Sequence, residues 1–221
     1  MRGRLQRAAL ALGAILAVSA VGFAGYRAID AADHLDPPAR TDPAVDPTPD
    51  RAADIADIYV FHDANNLVLA LTFGGPQATT LPAIYDRDVS YIINISNAGA
   101  RTDAEIPIEI RFGLDGPNPG VQVTGLPPGG SGAIRGPVER DLTNASGIIV
   151  RAGLFDDPFF FDSQGLRESR TQGVLRFNNR RSFFDSQNIT GVIIQIPRPL
   201  VENGTNKLDI WTTSARIGGQ L

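Results

Sequence analysis

Two acidic blocks hold most of the side chains in this sequence that could do chemistry. Between residues 30 and 63 the chain carries nine Asp and no Glu. The tightest groups there are Asp33-His34-Leu35-Asp36 and Asp54-Ile55-Ala56-Asp57. The second block, Phe155-Asp156-Asp157-Pro158-Phe159-Phe160-Phe161-Asp162, sets three carboxylates around three aromatics, with Arg151 before it and Arg167 and Arg170 after it. Hard cations such as Ca²⁺ take several carboxylate and carbonyl oxygens from adaptable loops, and short Asp side chains on a proline-stiffened segment suit them. Carboxylates held against aromatic rings are pushed toward the neutral acid, a state suited to general acid or base work. A third reading is architectural, with Asp156 and Asp157 pairing with Arg or satisfying turn amides. The spacing matches no EF-hand loop. If the two blocks meet in the fold, His34, Asp36, Asp54, Asp57, Asp156, Asp157 and Asp162 form one acidic metal site for Ca²⁺ or another divalent cation. No residue is assigned a catalytic role or the binding of an organic cofactor.

Several chemistries lack their parts. With no cysteine the chain has no disulfides, thiolate zinc sites, iron–sulfur clusters or cysteine nucleophile. A Ser-His-Asp triad would have to use one of two histidines, His34 or His62, and no Gly-x-Ser-x-Gly elbow is present. Residues 113–136, rich in Gly and Pro, lack the Lys-Ser/Thr ending of a phosphate cradle and predict a long loop or irregular hairpin. The net charge is −4, and setting aside Arg2, Arg4 and Arg7 leaves the remainder more acidic still. An acidic body has no basic stripe to neutralise phosphates, which argues against nucleic acid as a partner. Of the basic residues 19 are Arg and one is Lys207, a bias we read as composition and not as a site.

The elements that would position these groups follow from pattern. Arg2, Arg4 and Arg7 precede an uncharged run over residues 8–26, the form of a secretory leader or a signal anchor over residues 1–29. Gly22-Phe23-Ala24 offers small residues for cleavage after Ala24. Residues 30–51 crowd in Pro37, Pro38, Pro43, Pro47 and Pro49, which excludes a helix or central strand and predicts an extended linker or strap. From residue 52 to 221 short apolar runs alternate with turn residues, as in a single β-rich domain. Nine strands are predicted, over 55–61, 67–73, 89–95, 106–112, 121–126, 148–153, 174–177, 189–196 and 208–213. Pro107 assigns the start of the fourth to an edge. Residues 162–170 predict a short helix. The expected fold is mostly β, an antiparallel β-sandwich or barrel-like domain with long loops, preceded by a hydrophobic leader helix.

The chain also resembles a bacterial family, domain of unknown function 4331. The resemblance lies in Ala32-Asp33-His34-Leu35-Asp36 with Ala53-Asp54-Ile55-Ala56-Asp57-Ile58-Tyr59-Val60-Phe61, and in Ala152-Gly153-Leu154-Phe155-Asp156-Asp157-Pro158-Phe159-Phe160-Phe161-Asp162. It continues in Asn188-Ile189-Thr190-Gly191-Val192-Ile193-Ile194-Gln195-Ile196-Pro197 and in Ile210-Trp211-Thr212-Thr213. His34 belongs to the shared pattern and His62 does not. The resemblance implies an exported protein, periplasmic or extracellular, and assigns it no activity. Family members continue past the Trp-Thr-Thr block into an Asp-Arg-Met-Gly-like segment, whereas this sequence reads Gly218-Gly219-Gln220-Leu221 there.

Three functions remain open on the sequence. The first is an exported envelope or extracellular binding module for an unidentified ligand or envelope protein, with a structural cation in the Asp blocks. The second is a carboxylate-based hydrolase of a saccharide or related polymer, and the third a purely structural interaction domain. The membrane enters only through residues 8–26, if they are retained.

Overall fold

Along residues 67–73 every side chain but Thr72 is apolar, and an extended chain turns the larger Leu67, Leu69, Leu71 and Phe73 to one face. All four are buried. The computed structural model describes residues 37–40, 47–130, 132–204 and 207–216. Within them the strands are β1 (Ile55–His62), β2 (Asn66–Ala78), β3 (Val89–Ser96), β4 (Ile106–Asp115), β5 (Asn118–Thr124) and β6 (Ile134–Pro137). They continue as β7 (Leu142–Thr143), β8 (Ile149–Asp156), β9 (Gln187–Pro197) and β10 (Asp209–Arg216), with one described α-helix, α1 (Ser163–Gln172). The leader, His34 and Asp36 lie outside the described residues.

The strands form two five-stranded antiparallel sheets, ordered β1-β2-β9-β8-β7 and β10-β3-β4-β5-β6. Each sheet keeps its own edges, so of the two expected forms the structure takes the sandwich and not the barrel. The inner faces meet in one core, where Leu69, Leu71, Phe73, Val150 and Ile194 oppose Tyr91, Ile93, Ile108, Ile110 and Val123. Phe73 stacks on Tyr91 across the core with ring centroids 4.2 Å apart, a contact worth about 1 kcal/mol beyond the area it buries. β2 shifts register against β9 between Phe73 and Gln77. There a Cβ on Gly75 would stand 2.8 Å from Ile189 Cγ1, so the close crossing requires glycine.

The end of the proline-rich strap is built into this sandwich. Ala39 and Pro49 form an antiparallel bridge, so the described part of the strap folds back on itself instead of running extended. It then enters a 3₁₀ turn, Arg51–Ala53, whose two alanines are buried. The Tyr91 hydroxyl donates to the Ala52 carbonyl and Ser214 Oγ to the Ala53 carbonyl at 2.6 Å. Arg216 clamps Asp50 with two hydrogen bonds of 2.5 and 2.6 Å and reaches Asp86 Oδ2 at 2.9 Å.

The other differences from the sequence reading are local. Residues 174–177 are not a strand: Gly173 caps α1 in the left-handed conformation, and the apolar run after it is solvent-exposed. β6 and β7 are short strands that find partners only in the assembled sheets. β4 lies inside its sheet, yet its pairing with β5 stops at Glu109–Thr124, so Pro107 faces no β5 partner and β4 begins as an edge on that side alone. Among the described residues no helix is long and apolar enough to cross a membrane.

Candidate functional site

Among the described residues, the members of the predicted acidic site have different partners. Asp162 is the N-cap of α1 and is 3% exposed. Its Oδ1 accepts from Gly165 N (2.8 Å) and Arg181 Nε (2.6 Å), and its Oδ2 from Asn178 N (2.7 Å) and Arg181 Nη2 (2.9 Å). A carboxylate offers about four lone-pair sites, and all are taken. The Arg181 guanidinium, aided by the two backbone N–H groups, outweighs burial and holds this carboxyl well below the usual range. Asp162 therefore fastens α1 to the segment after it, and a cation there would have to displace Arg181.

Asp57 and Asp157 flank Tyr59. Tyr59 donates to Asp57 Oδ2 at 2.8 Å, and burial, that bond and the charges of Asp57 and Asp157 push its ionisation far above the ordinary value. Asp157 Oδ1 accepts from Phe159 N at 3.0 Å, shaping the turn into the Phe-rich loop. Asp54 is buried at the start of β1, where its carbonyl accepts from Gly74 N at 2.9 Å. Asp156 ends β8, exposed, opposite Asn188. Among the described residues no three of His, Asp and Glu gather as an ion-sized set.

A different constellation lies on the outer face of the second sheet. Inward Ile108, Ile110 and Phe112 alternate with outward Glu109 and Arg111, as strand geometry demands. Arg111 pairs in register with Gln122, and Gln122 with Arg135, giving a cross-strand row Arg111–Gln122–Arg135. Adjacent strands are about 4.8 Å apart, so the two arginine Cα atoms stand about 10 Å apart. The neighbouring row is Gly113–Gly120, followed by Pro137, and it leaves the sheet surface bare of long side chains. A groove of about 820 Å³ opens over both rows, with Arg140 on its rim and Asp115 as its acidic lining residue.

Three arginines line this groove against one acid, Asp115. Arg111 donates to the Arg87 carbonyl at 3.3 Å, and neither it, Arg135 nor Arg140 forms an ion pair among the described residues. Glu109, on the same face, is engaged by Ser90 Oγ at 2.8 Å. Guanidinium groups present planar forks that match carboxylate and phosphate oxygens two at a time. Several of them beside a glycine floor can hold an anion whose body lies flat on the sheet.

Nothing local in the sequence pairs Arg111 with Arg135, because that depends on the register of three strands. Comparison of the chain with protein-family models, curated proteins and solved structures returns no match.

Proposed function

We propose that this chain is an exported, non-catalytic binding module of the cell envelope that takes an anionic ligand in the groove over β4, β5 and β6. The observation that carries the reading is the set Arg111, Arg135 and Arg140. These are three cations without carboxylate partners around a glycine-floored groove, in a chain of net charge −4. Like charges so placed repel one another, and an anion between them relieves that repulsion while accepting their hydrogen bonds. The shared ligand chemistry is an oxyanion, carboxylate or phosphate, on a body broad enough to cover Gly113 and Gly120. The leader supplies the export, in keeping with the resemblance to domain of unknown function 4331.

Calorimetric titration with polygalacturonate, pyrophosphate and neutral dextran tests this. At least one anion should bind, dextran should not, and Arg135→Gln should weaken binding about 10- to 100-fold, the worth of one charge-assisted hydrogen-bond pair. Binding of dextran as tight as that of the anions, or an Arg135→Gln variant with unchanged affinity, would remove the proposal.

A further inference from the structure

The connection from β8 to β9 presents a second surface, independent of the groove. Asp162 and Arg181 tie it together, and a chain of ring contacts runs through it. Phe183 packs on Phe184 (centroids 5.1 Å), Phe184 on Phe159 (5.1 Å), Phe159 on Phe161 (6.4 Å) and Phe161 on Phe177 (6.4 Å). Only Phe184 of these rings is fully buried. Beyond them Phe160, Val174, Leu175, Phe177 and Phe183 stand in solvent, Leu175 with 84% of its surface exposed. Phe160, Phe161 and Phe177 also border a shallow hollow of about 590 Å³ with Asn178 and Asn179.

Charge accompanies this apolar surface. Residues 162–185 hold five arginines against three acids, Asp162, Glu168 and Asp185, in a chain whose acids outnumber its bases. Arg181 is committed to Asp162, whereas Arg176 and Arg180 lie on the exposed stretch beside Val174, Leu175 and Phe177. Every residue from 171 to 180 is exposed, so Val174 and Leu175 stand in solvent and Phe177 borders the shallow hollow. Aromatic and aliphatic tips beside two exposed arginines, on an internally braced loop, suit the headgroup–acyl boundary of a bilayer. There the apolar tips enter and the guanidinium groups stay with anionic headgroups.

We infer that the loop carrying Val174, Leu175 and Phe177 is a docking surface for an anionic lipid membrane. The chain has no cysteine, so a single Leu175→Cys in the full chain carries an environment-sensitive fluorophore at one known point. It reports this loop whatever residues 8–26 do. On vesicles of phosphatidylcholine with phosphatidylglycerol its emission should shift to the blue and brighten about twofold or more, as insertion into the boundary requires. On phosphatidylcholine alone the change should be much smaller. Arg176→Gln with Arg180→Gln should raise the lipid concentration needed about thirtyfold, from roughly fivefold per lost charge. A fluorophore at Ala64→Cys, in the exposed turn between β1 and β2 at the other end of β9, should not respond. An unchanged emission at position 175, an equal change on neutral vesicles or an equal change at position 64 would overturn the inference. So would the same change produced by soluble polyglutamate without lipid, which would assign the surface to an acidic protein partner.

Discussion

Replacing Arg216 by methionine should open the end of the sandwich that the strap closes. Asp50 is 2% exposed and the Arg216 side chain 16%, and their two hydrogen bonds are joined by the bond to Asp86. Removing the guanidinium leaves the Asp50 carboxyl group buried without that partner. Breaking a buried pair in this way costs about 3–5 kcal/mol, a large share of the roughly 5–15 kcal/mol by which domains are stable. For a chain of this size each kcal/mol lowers Tm by about 2–4 °C, so Tm should fall by about 10 °C. The assay is thermal unfolding followed by far-ultraviolet circular dichroism, run as a cycle with Asp50→Asn. The double variant should lose less than the sum of the single variants, because the second change removes the carboxyl group the first one stranded. The dependence on pH has a defined sign. Burial raises the Asp86 carboxyl, but the Asp88 backbone N–H and Arg216 together hold it below its ordinary value. Its contribution is therefore present above about pH 4 and is lost as pH falls through the lower folded value. Arg216→Met should weaken that acid-side loss. An Arg216→Met variant costing under about 1 kcal/mol, as an exposed pair would, refutes the clamp.

Asp162→Ala should free α1 and the loop after it while leaving the two sheets intact. Limited proteolysis should then cut within residues 163–184 well before the core, and equal resistance of variant and wild type would contradict the bracing role. The wild-type loop should keep its resistance to cleavage down to about pH 4, because a depressed carboxyl loses its contribution only as pH falls through its folded value. Burial is the leading cause of the raised hydroxyls of Tyr59, Tyr85 and Tyr91. Their neutral forms stabilise the fold below the unfolded value near 10, and that stability is lost as pH rises through the higher folded values. An ultraviolet titration at pH about 11 should find these three un-ionised until the chain unfolds, whereas ionisation of two or more in the native state would contradict their burial.

What the sequence disclosed follows the range of the interactions involved. Strand propensity is local, so residues 67–73, 89–95 and 189–196 stood out as apolar or β-branched runs and became the centres of β2, β3 and β9. Asp162 as a cap and Gly173 as a stop act within one turn, and in the structure they bound the helix that the sequence places over 162–170. Residues 174–177 misled because a short apolar run has the same composition in a strand and on an exposed loop. β6 and β7 needed neighbouring strands to exist at all. The acidic blocks were visible as composition, yet the duty of Asp162 depends on Arg181, distant in sequence and brought close by the fold. The groove was the least legible feature, since its arginines come from β4, β6 and the segment after β6.

The groove is tested most directly by filling its floor. Gly113 is in no positive-φ conformation, and a Cβ there meets nothing within 4 Å, so Gly113→Val should fold with stability unchanged to within about 1 kcal/mol. Its side chain would stand on the bare row beside Arg111 and keep the ligand off the sheet. Titrated with the anion that the wild type binds, Gly113→Val should show affinity reduced about tenfold or more at an unchanged Tm. Full affinity in a well-folded Gly113→Val variant would contradict the claim that an anion lies across β4, β5 and β6.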